Sequence, residues 1–219
     1  MSEVETHRAV QRVIGGLYAI TPDELDTAAL LYKVRLALLG GAHLLQYRNK
    51  LAPLPLRAEQ AGALRRLTRE FGVPLIINDD AVLARQVEAD GVHLGGDDGS
   101  VAEARALLGS GRIIGVSCYN RLPLAHEAVR QGADYVAFGA FFASGVKPAA
   151  VQAPLGLLQQ ARQELHVPIV AIGGITVQNG AQLLRAGADA LAVISAVFAA
   201  PDVQEAARQF ADLNLSSSR

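Results

Sequence analysis

The sequence predicts an α/β chain closed into a single (β/α)8 barrel of the TIM type. Three observations carry that expectation: eight short apolar runs, helix-compatible stretches between them, and no glycine-rich loop after the first run. Most of the runs are continuous rather than alternating, as parallel strands covered on both faces should be. Strands that alternate with helices imply a parallel sheet with right-handed crossovers. An open doubly wound sheet calls instead for a phosphate-binding glycine loop directly after its first strand. The stretch Leu17–Tyr18–Ala19–Ile20–Thr21–Pro22–Asp23 holds no glycine at all.

In chain order, strands are expected at 16–21, 42–48, 74–79, 91–95, 113–118, 135–141, 168–173 and 190–195. The helices expected between and after them are 24–39, 57–71, 80–88, 101–108, 122–131, 154–165, 177–186 and 202–212. A weak internal repeat supports the count. Gly132–Ala133–Asp134 leads into strand six as Gly187–Ala188–Asp189 leads into strand eight, and Ala89–Asp90–Gly91 is a looser relative. Each of the two leading glycines can end a helix in a left-handed conformation before the chain enters a strand. Asp134 and Asp189 then sit at strand starts, where a structural role is expected. Residues 1–15 are assigned to an N-terminal extension, 16–212 to the barrel and 213–219 to a flexible C-terminal tail.

The 219 residues suffice for one complete core. Lys plus Arg number 20 against 21 Asp plus Glu. That balance gives no global reason to expect a nucleic-acid or acidic-membrane partner, although a local anion site remains open. Cys118 stands alone, so no intrachain disulfide framework exists and a reducing compartment is the natural expectation. With no signal-like run in residues 1–14 and no apolar stretch of spanning length, the chain is expected to be cytoplasmic.

In such a barrel the chemistry gathers above the C-terminal ends of the strands. Strand two ends on Gln46, Arg48 and Lys50, and strand three on Asn78, Asp79 and Asp80. Strand four supplies His93 and then Asp97 and Asp98; strand five ends near Ser117; the loop after strand six carries Ser144 and Lys147. Arg48, Lys50 and Lys147 suit a multiply charged phosphate or diphosphate, Arg as a fork and Lys as a point charge. Taken singly, each is equally compatible with a solvated loop charge. Asp79 and Asp98 suit Mg²⁺, which keeps places for water and phosphate oxygens; salt bridges and an acid/base pair are the competing readings. Asp80 and Asp97 are expected to cap helices or bond locally.

A second anion site is expected near strands seven and eight. Gly173 and Gly174 permit close backbone approach, and a helix opening near Thr176 can direct amides at a phosphate, joined by Ile194 and Ser195. Cys118 reads as a buried inert thiol and His93 as a structural imidazole. Ser117 has no local His/acid partner in the sequence, which argues against a hydrolase triad.

Over residues 16–212 this ordered set resembles the thiamine-phosphate synthase family. The matching landmarks are LYAIT at 17–21, QYRNK at 46–50, IIND at 76–79, GVHLGGDD at 91–98, GVS at 115–117, FGAFFASGVKP at 138–148, PIVAIGGIT at 168–176 and AGADALAVISAVF at 186–198. The resemblance implies an enzyme that joins an aminopyrimidine diphosphate to a thiazole phosphate with release of pyrophosphate. It implies that Gln46 positions the pyrimidine, that Arg48, Lys50, Asn78 and Lys147 hold its diphosphate, and that Ser117 lies near the departing group. It further implies Asp79 and Asp98 as Mg²⁺ ligands, with Gly173, Gly174, Ile194 and Ser195 at the thiazole phosphate. Against many relatives, Asp80 stands in place of an arginine, Ala140 of a proline, and Val146 of a hydroxyl residue before the loop lysine. Tyr119–Asn120 replace a His-Thr pair.

Overall fold

The computed structural model describes residues 14–95, 99–143 and 151–217, with side chains through Leu213. The chain runs β1 (Gly16–Ile20), α1 (Thr27–Leu39), β2 (Leu44–Tyr47), α2 (Leu54–Phe71), β3 (Leu75–Asn78), α3 (Ala81–Gln86) and β4 (Gly91–Leu94). It continues α4 (Val101–Leu108), β5 (Ile113–Tyr119), α5 (Leu122–Arg130), β6 (Tyr135–Phe138), α6 (Leu155–Glu164), β7 (Ile169–Ile172) and α7 (Val177–Arg185). β8 (Ala190–Val193), α8 (Ser195–Phe198) and α9 (Val203–Ser217) complete it. The strands pair in parallel in sequence order and β8 returns to β1, so the sheet is a closed barrel, as expected.

Element ends follow local chemistry. α1 begins at Thr27 rather than 24 because the Asp26 carboxylate accepts from the Ala28 and Ala29 amides and fixes the cap there. α2 starts at Leu54, earlier than expected, with Pro55 in its opening turn, where the missing N–H costs nothing. Asp80 caps α3 by accepting from Leu83 at 2.8 Å, the local role expected of it. The expected eighth strand is cut at Val193, where Ser195 opens α8, a one-turn helix that the apolar run Ala190–Ser195 conceals. α9 reaches Ser217, beyond the expected 212 and into the segment assigned to a tail.

Alternation along each strand divides the apolar side chains into two sets. Leu17, Ala19, Leu45, Tyr47, Leu75 and Ile77 point outward and pack under the helices in the larger cluster. Tyr18, Ile20, Leu44, Ile76, Ile113, Tyr135, Val170 and Ala190 point inward and fill the barrel, with Ile14 joining them from before β1.

A staple repeats at the N-terminal ends of the strands. The Asp90 carboxylate accepts from the Leu75 amide and from Arg65; Asp134 accepts from Ile114 and Arg105; Asp189 accepts from Ile169 and Arg162. In each unit the aspartate's own amide donates back to the carbonyl of the same strand residue: Leu75, Ile114 and Ile169. His43 donates to the Leu17 carbonyl in the same way, so the first pair of strands repeats the backbone half of the device without its carboxylate. The expected structural role of Asp134 and Asp189 is therefore a specific one: each satisfies an amide at the start of the preceding strand and binds, through its arginine, the helix that leads into that strand.

Candidate active site

The strand-two motif becomes a rigid corner because its polar groups are tied from several sides. Thr21 Oγ1 donates to the Arg48 carbonyl at 2.9 Å and accepts from the Arg48 amide at 2.8 Å, locking the β1 loop to the β2 loop. Asp23 then accepts twice, from the Lys50 amide at 2.6 Å and from Arg48 Nη1 at 3.2 Å. Asn49 is buried and points away from the rim, where its amide donates to the Glu24 carbonyl and to Gln60. The motif thus alternates: Gln46 faces the barrel interior, Arg48 and Lys50 line the rim, and Tyr47 and Asn49 hold the loop against α2.

Lys50 Nζ lies 3.4 Å from Asp79 Oδ2, which brings the strand-two cation to the strand-three carboxylate. Asp79 adopts a left-handed backbone (φ 64°), a conformation that aspartate tolerates better than most residues. Its amide donates to the His93 carbonyl at 2.8 Å, pinning the loop to the end of β4. A cleft of about 460 Å³ opens beside these groups, lined by Lys50, Asn78, Asp79, Arg57, Ser100 and Glu103 among others. The salt-bridge alternative raised for Asp79 therefore describes its arrangement here, with Lys50 as partner, while Arg48 pairs with Asp23. An incoming diphosphate would exchange partners with them. One or two carboxylates with neighbouring amide oxygen suit a hard cation held jointly with phosphate oxygens and water. Among the described residues no group of three His, Cys, Asp or Glu side chains converges. Asp98, Ser144 and Lys147 lie outside the described residues, as do Asp97 and Val146.

Across the rim, Gly173 (φ 101°) and Gly174 (φ 62°) turn the chain from β7 towards α7. Glycine is required here for packing as well as conformation. A Cβ on Gly173 would lie 2.5 Å from the Ala140 Cβ, and one on Gly174 would lie 2.3 Å from the Ala143 carbonyl oxygen. The loop after β6 is bonded to this turn, with the Phe142 amide donating to the Gly173 carbonyl at 3.0 Å. Thr176 is the N-cap residue of α7, its amide donating to Asn179 Oδ1 at 2.8 Å. Ser195 opens α8. The first amides of both helices lack intrahelical acceptors and gather on this side of the rim.

The barrel interior holds what sequence inspection missed. Ser117 Oγ meets His93 Nε2 at 2.8 Å, and His93 Nδ1 meets the Tyr135 hydroxyl at 2.9 Å. Tyr135 bonds Tyr18 at 2.8 Å, and Gln46 Nε2 donates to Tyr18 at 2.7 Å. Burial raises both phenols well above their ordinary range and keeps them neutral. Ser117 does have an imidazole partner, but the other ring nitrogen meets a phenol, not the carboxylate that a Ser-His-Asp triad requires. The available signal was the period of two: Gln46, His93 and Ser117 fall on the inward face of their strands, like Tyr18 and Tyr135. Cys118 faces the other way, is fully buried, and its thiol is pushed up to about 12 by burial, so the expectation of an inert thiol is met.

Comparison with known proteins identifies the family to which this barrel belongs. A family model described as thiamine monophosphate synthase matches residues 17–197. The thiamine-phosphate synthase of Methylobacillus flagellatus is 57% identical over 200 residues, covering 91% of this chain and 95% of that protein. That of an Azoarcus species is 56% identical over 200 residues, covering 91% and 97%. Among solved structures, thiamine phosphate pyrophosphorylase from Pyrococcus furiosus superposes with a TM-score of 0.85 at 35% identity, covering 95% of this chain and 98% of that one. With the family pattern spanning the whole barrel from β1 to α8, the chain belongs to the thiamine monophosphate synthase family.

Proposed function

We propose that this chain couples 4-amino-2-methyl-5-hydroxymethylpyrimidine diphosphate to 4-methyl-5-(2-phosphoethyl)thiazole, giving thiamine phosphate and pyrophosphate. The observation that carries the reading is the two-sided rim. Arg48, Lys50, Asn78 and Asp79 stand at the ends of β2 and β3, and the Gly173–Gly174 turn and the openings of α7 and α8 stand at β7 and β8. One side suits a diphosphate and the other a monoester.

In the coupling, the bond between the pyrimidine methylene and the diphosphate oxygen breaks, and the thiazole nitrogen forms the new C–N bond to that methylene. The electron pair leaves with pyrophosphate, and positive charge that develops on the methylene is delocalised into the electron-rich aminopyrimidine. No protein nucleophile is needed. Arg48, Lys50 and Lys147 stabilise the leaving charge, Asn78 and Ser117 donate to its oxygens, and Gln46 orients the ring. Ser144, Gly173, Gly174, Ile194 and Ser195 hold the thiazole phosphate so that its nitrogen faces the methylene. Asp79 and Asp98 would hold Mg²⁺, which when bound neutralises part of the diphosphate charge.

The test is incubation of the purified protein with both precursors while thiamine phosphate and pyrophosphate are measured, with and without Mg²⁺. Equimolar formation of both products, abolished by chelation and restored by Mg²⁺, is the expected result. Failure to couple the two precursors in folded protein overturns the assignment.

A further inference from the structure

Five side chains on five different strands form one continuous hydrogen-bonded line through the barrel interior: Gln46, Tyr18, Tyr135, His93 and Ser117. Four of them, Gln46, Tyr18, Tyr135 and His93, are at most 8% exposed, so water does not rescue a misdirected hydrogen. Space for the line is built into the strands. A Cβ on Gly115 would lie 1.9 Å from the Tyr135 ring, so glycine at that position is what lets the phenol reach His93 and Tyr18.

The line has only one consistent direction once Gln46 donates. An amide nitrogen cannot accept, so Tyr18 receives the Gln46 N–H and passes its own hydrogen to Tyr135. Were Tyr135 to donate to Tyr18 instead, the Tyr18 hydrogen would be left without an acceptor in a fully buried position, the costly arrangement for a polar group. Tyr135 therefore donates to His93 Nδ1, the imidazole carries its hydrogen on Nε2, and Nε2–H donates to Ser117. Ser117 is left with its hydroxyl hydrogen for the site. Turning the Gln46 amide over reverses every member, so that Ser117 donates inward and shows the site only lone pairs.

We infer that Tyr18, Tyr135 and His93 act as a positioning relay that locks the Gln46 amide with its oxygen available to the substrate and, through the same line, arms Ser117 as a donor. The inference rests on the proposed coupling reaction and deepens it. An amide oxygen selects a ring that offers an exocyclic N–H, and a donating Ser117 selects an anionic leaving group. The relay makes both selections at once. A 4-oxo pyrimidine diphosphate asks for the opposite amide orientation, which would also turn the Ser117 hydrogen away from the diphosphate. Specificity for an aminopyrimidine is thus assigned partly to two phenols that touch no substrate.

Two measurements test this. Nitrogen-15 NMR of the imidazoles in the ligand-free protein reads the His93 tautomer directly; the relay requires the Nε2–H form, and the Nδ1–H form overturns it whether or not the protein couples its precursors. In kinetics, the ratio of kcat/KM for the amino substrate to that for its 4-oxo counterpart is compared between the protein and Tyr18→Phe. A frozen amide that is set free should narrow that ratio by about tenfold, the equivalent of one hydrogen bond. Tyr135→Phe should do the same, and it should also shrink the loss caused by Ser117→Ala, because Ser117 is then no longer held as a donor. Equal slowing of both substrates, with the ratio unchanged, would show a merely structural role and sink the proposal. An Nε2–H tautomer in a protein that couples neither substrate would leave the relay standing and defeat the synthase reading instead.

Discussion

Asp23 shows how much of a site can rest on a residue that never meets the substrate. Its two carboxylate oxygens hold the Lys50 amide and the Arg48 guanidinium, so loop order and cation placement depend on the same group. Removing it has two opposed effects: Arg48 is freed for the diphosphate, while the loop loses a charge-assisted bond worth about 1.5–3 kcal/mol. Asp23→Ala, which loses both functions, is expected to raise KM for the pyrimidine diphosphate by about tenfold. Asp23→Asn keeps an acceptor for the Lys50 amide and should raise it far less. Steady-state kinetics with the thiazole phosphate saturating separates the two. Cys118 makes the complementary point, since its burial excludes reactivity. The folded chain keeps a proton on the thiol up to about 12, whereas an ordinary thiol releases it near 9.0. The folded state therefore binds the extra proton between those values, and stability falls as pH rises through that window. Alkylation of native protein at pH 9 should be far slower than of protein unfolded in urea, as measured by mass spectrometry.

At the scale of elements, the repeated aspartate staple explains why the internal repeat was visible in the sequence at all. The segments at Asp90, Asp134 and Asp189 look alike because each must end a helix, enter a strand and return a carboxylate to the preceding strand's amide. In the middle staple, Asp134 and Arg105 side chains are 15% and 25% exposed, so the ion pair is largely shielded from water. Asp134→Ala leaves the Ile114 amide and the Arg105 guanidinium without that acceptor and should cost about 2–3 kcal/mol, read from urea unfolding. The Asp189 staple is more exposed, at 34% for Asp189 and 42% for Arg162, and Asp189→Ala should cost less. Neither substitution should alter kcat at 25 °C, because both lie at the end of the barrel opposite the rim. Other element boundaries were less legible. Leu54 and Thr27 begin helices because of caps and prolines that propensity alone misplaces by a few residues, and α8 hid inside an apolar run.

For the whole molecule, closure of the sheet separates stability from chemistry along the barrel axis. Staples occupy the strand starts and the polar rim occupies the strand ends, with four residues, or roughly 13 Å, of most strands between them. Asp134→Ala combined with Asp23→Ala should therefore show additive losses, within about 0.5 kcal/mol in unfolding free energy and with the kinetic defect of Asp23→Ala unchanged. Coupling larger than that, measured in a double-mutant cycle, would mean that the barrel transmits strain between its ends.

The sequence by itself determined the barrel, the order of its strands, the cationic loop after β2, the Asn78–Asp79 pair and the glycine turn after β7. All of these are local: each is written in a run of neighbouring residues whose period or turn chemistry needs no distant partner. Only the tertiary structure decided which groups meet. Tyr18 and Tyr135 lie 117 residues apart and Asp23 and Arg48 lie 25 apart, and nothing in either segment announces the other. Register across eight closed strands puts Gly115 beside Tyr135 and His93 beside Gly115, and that register makes room for the phenol line. The polar rim was legible because loops carry their chemistry in sequence; the polar interior was not, because it exists only after the sheet has closed on itself.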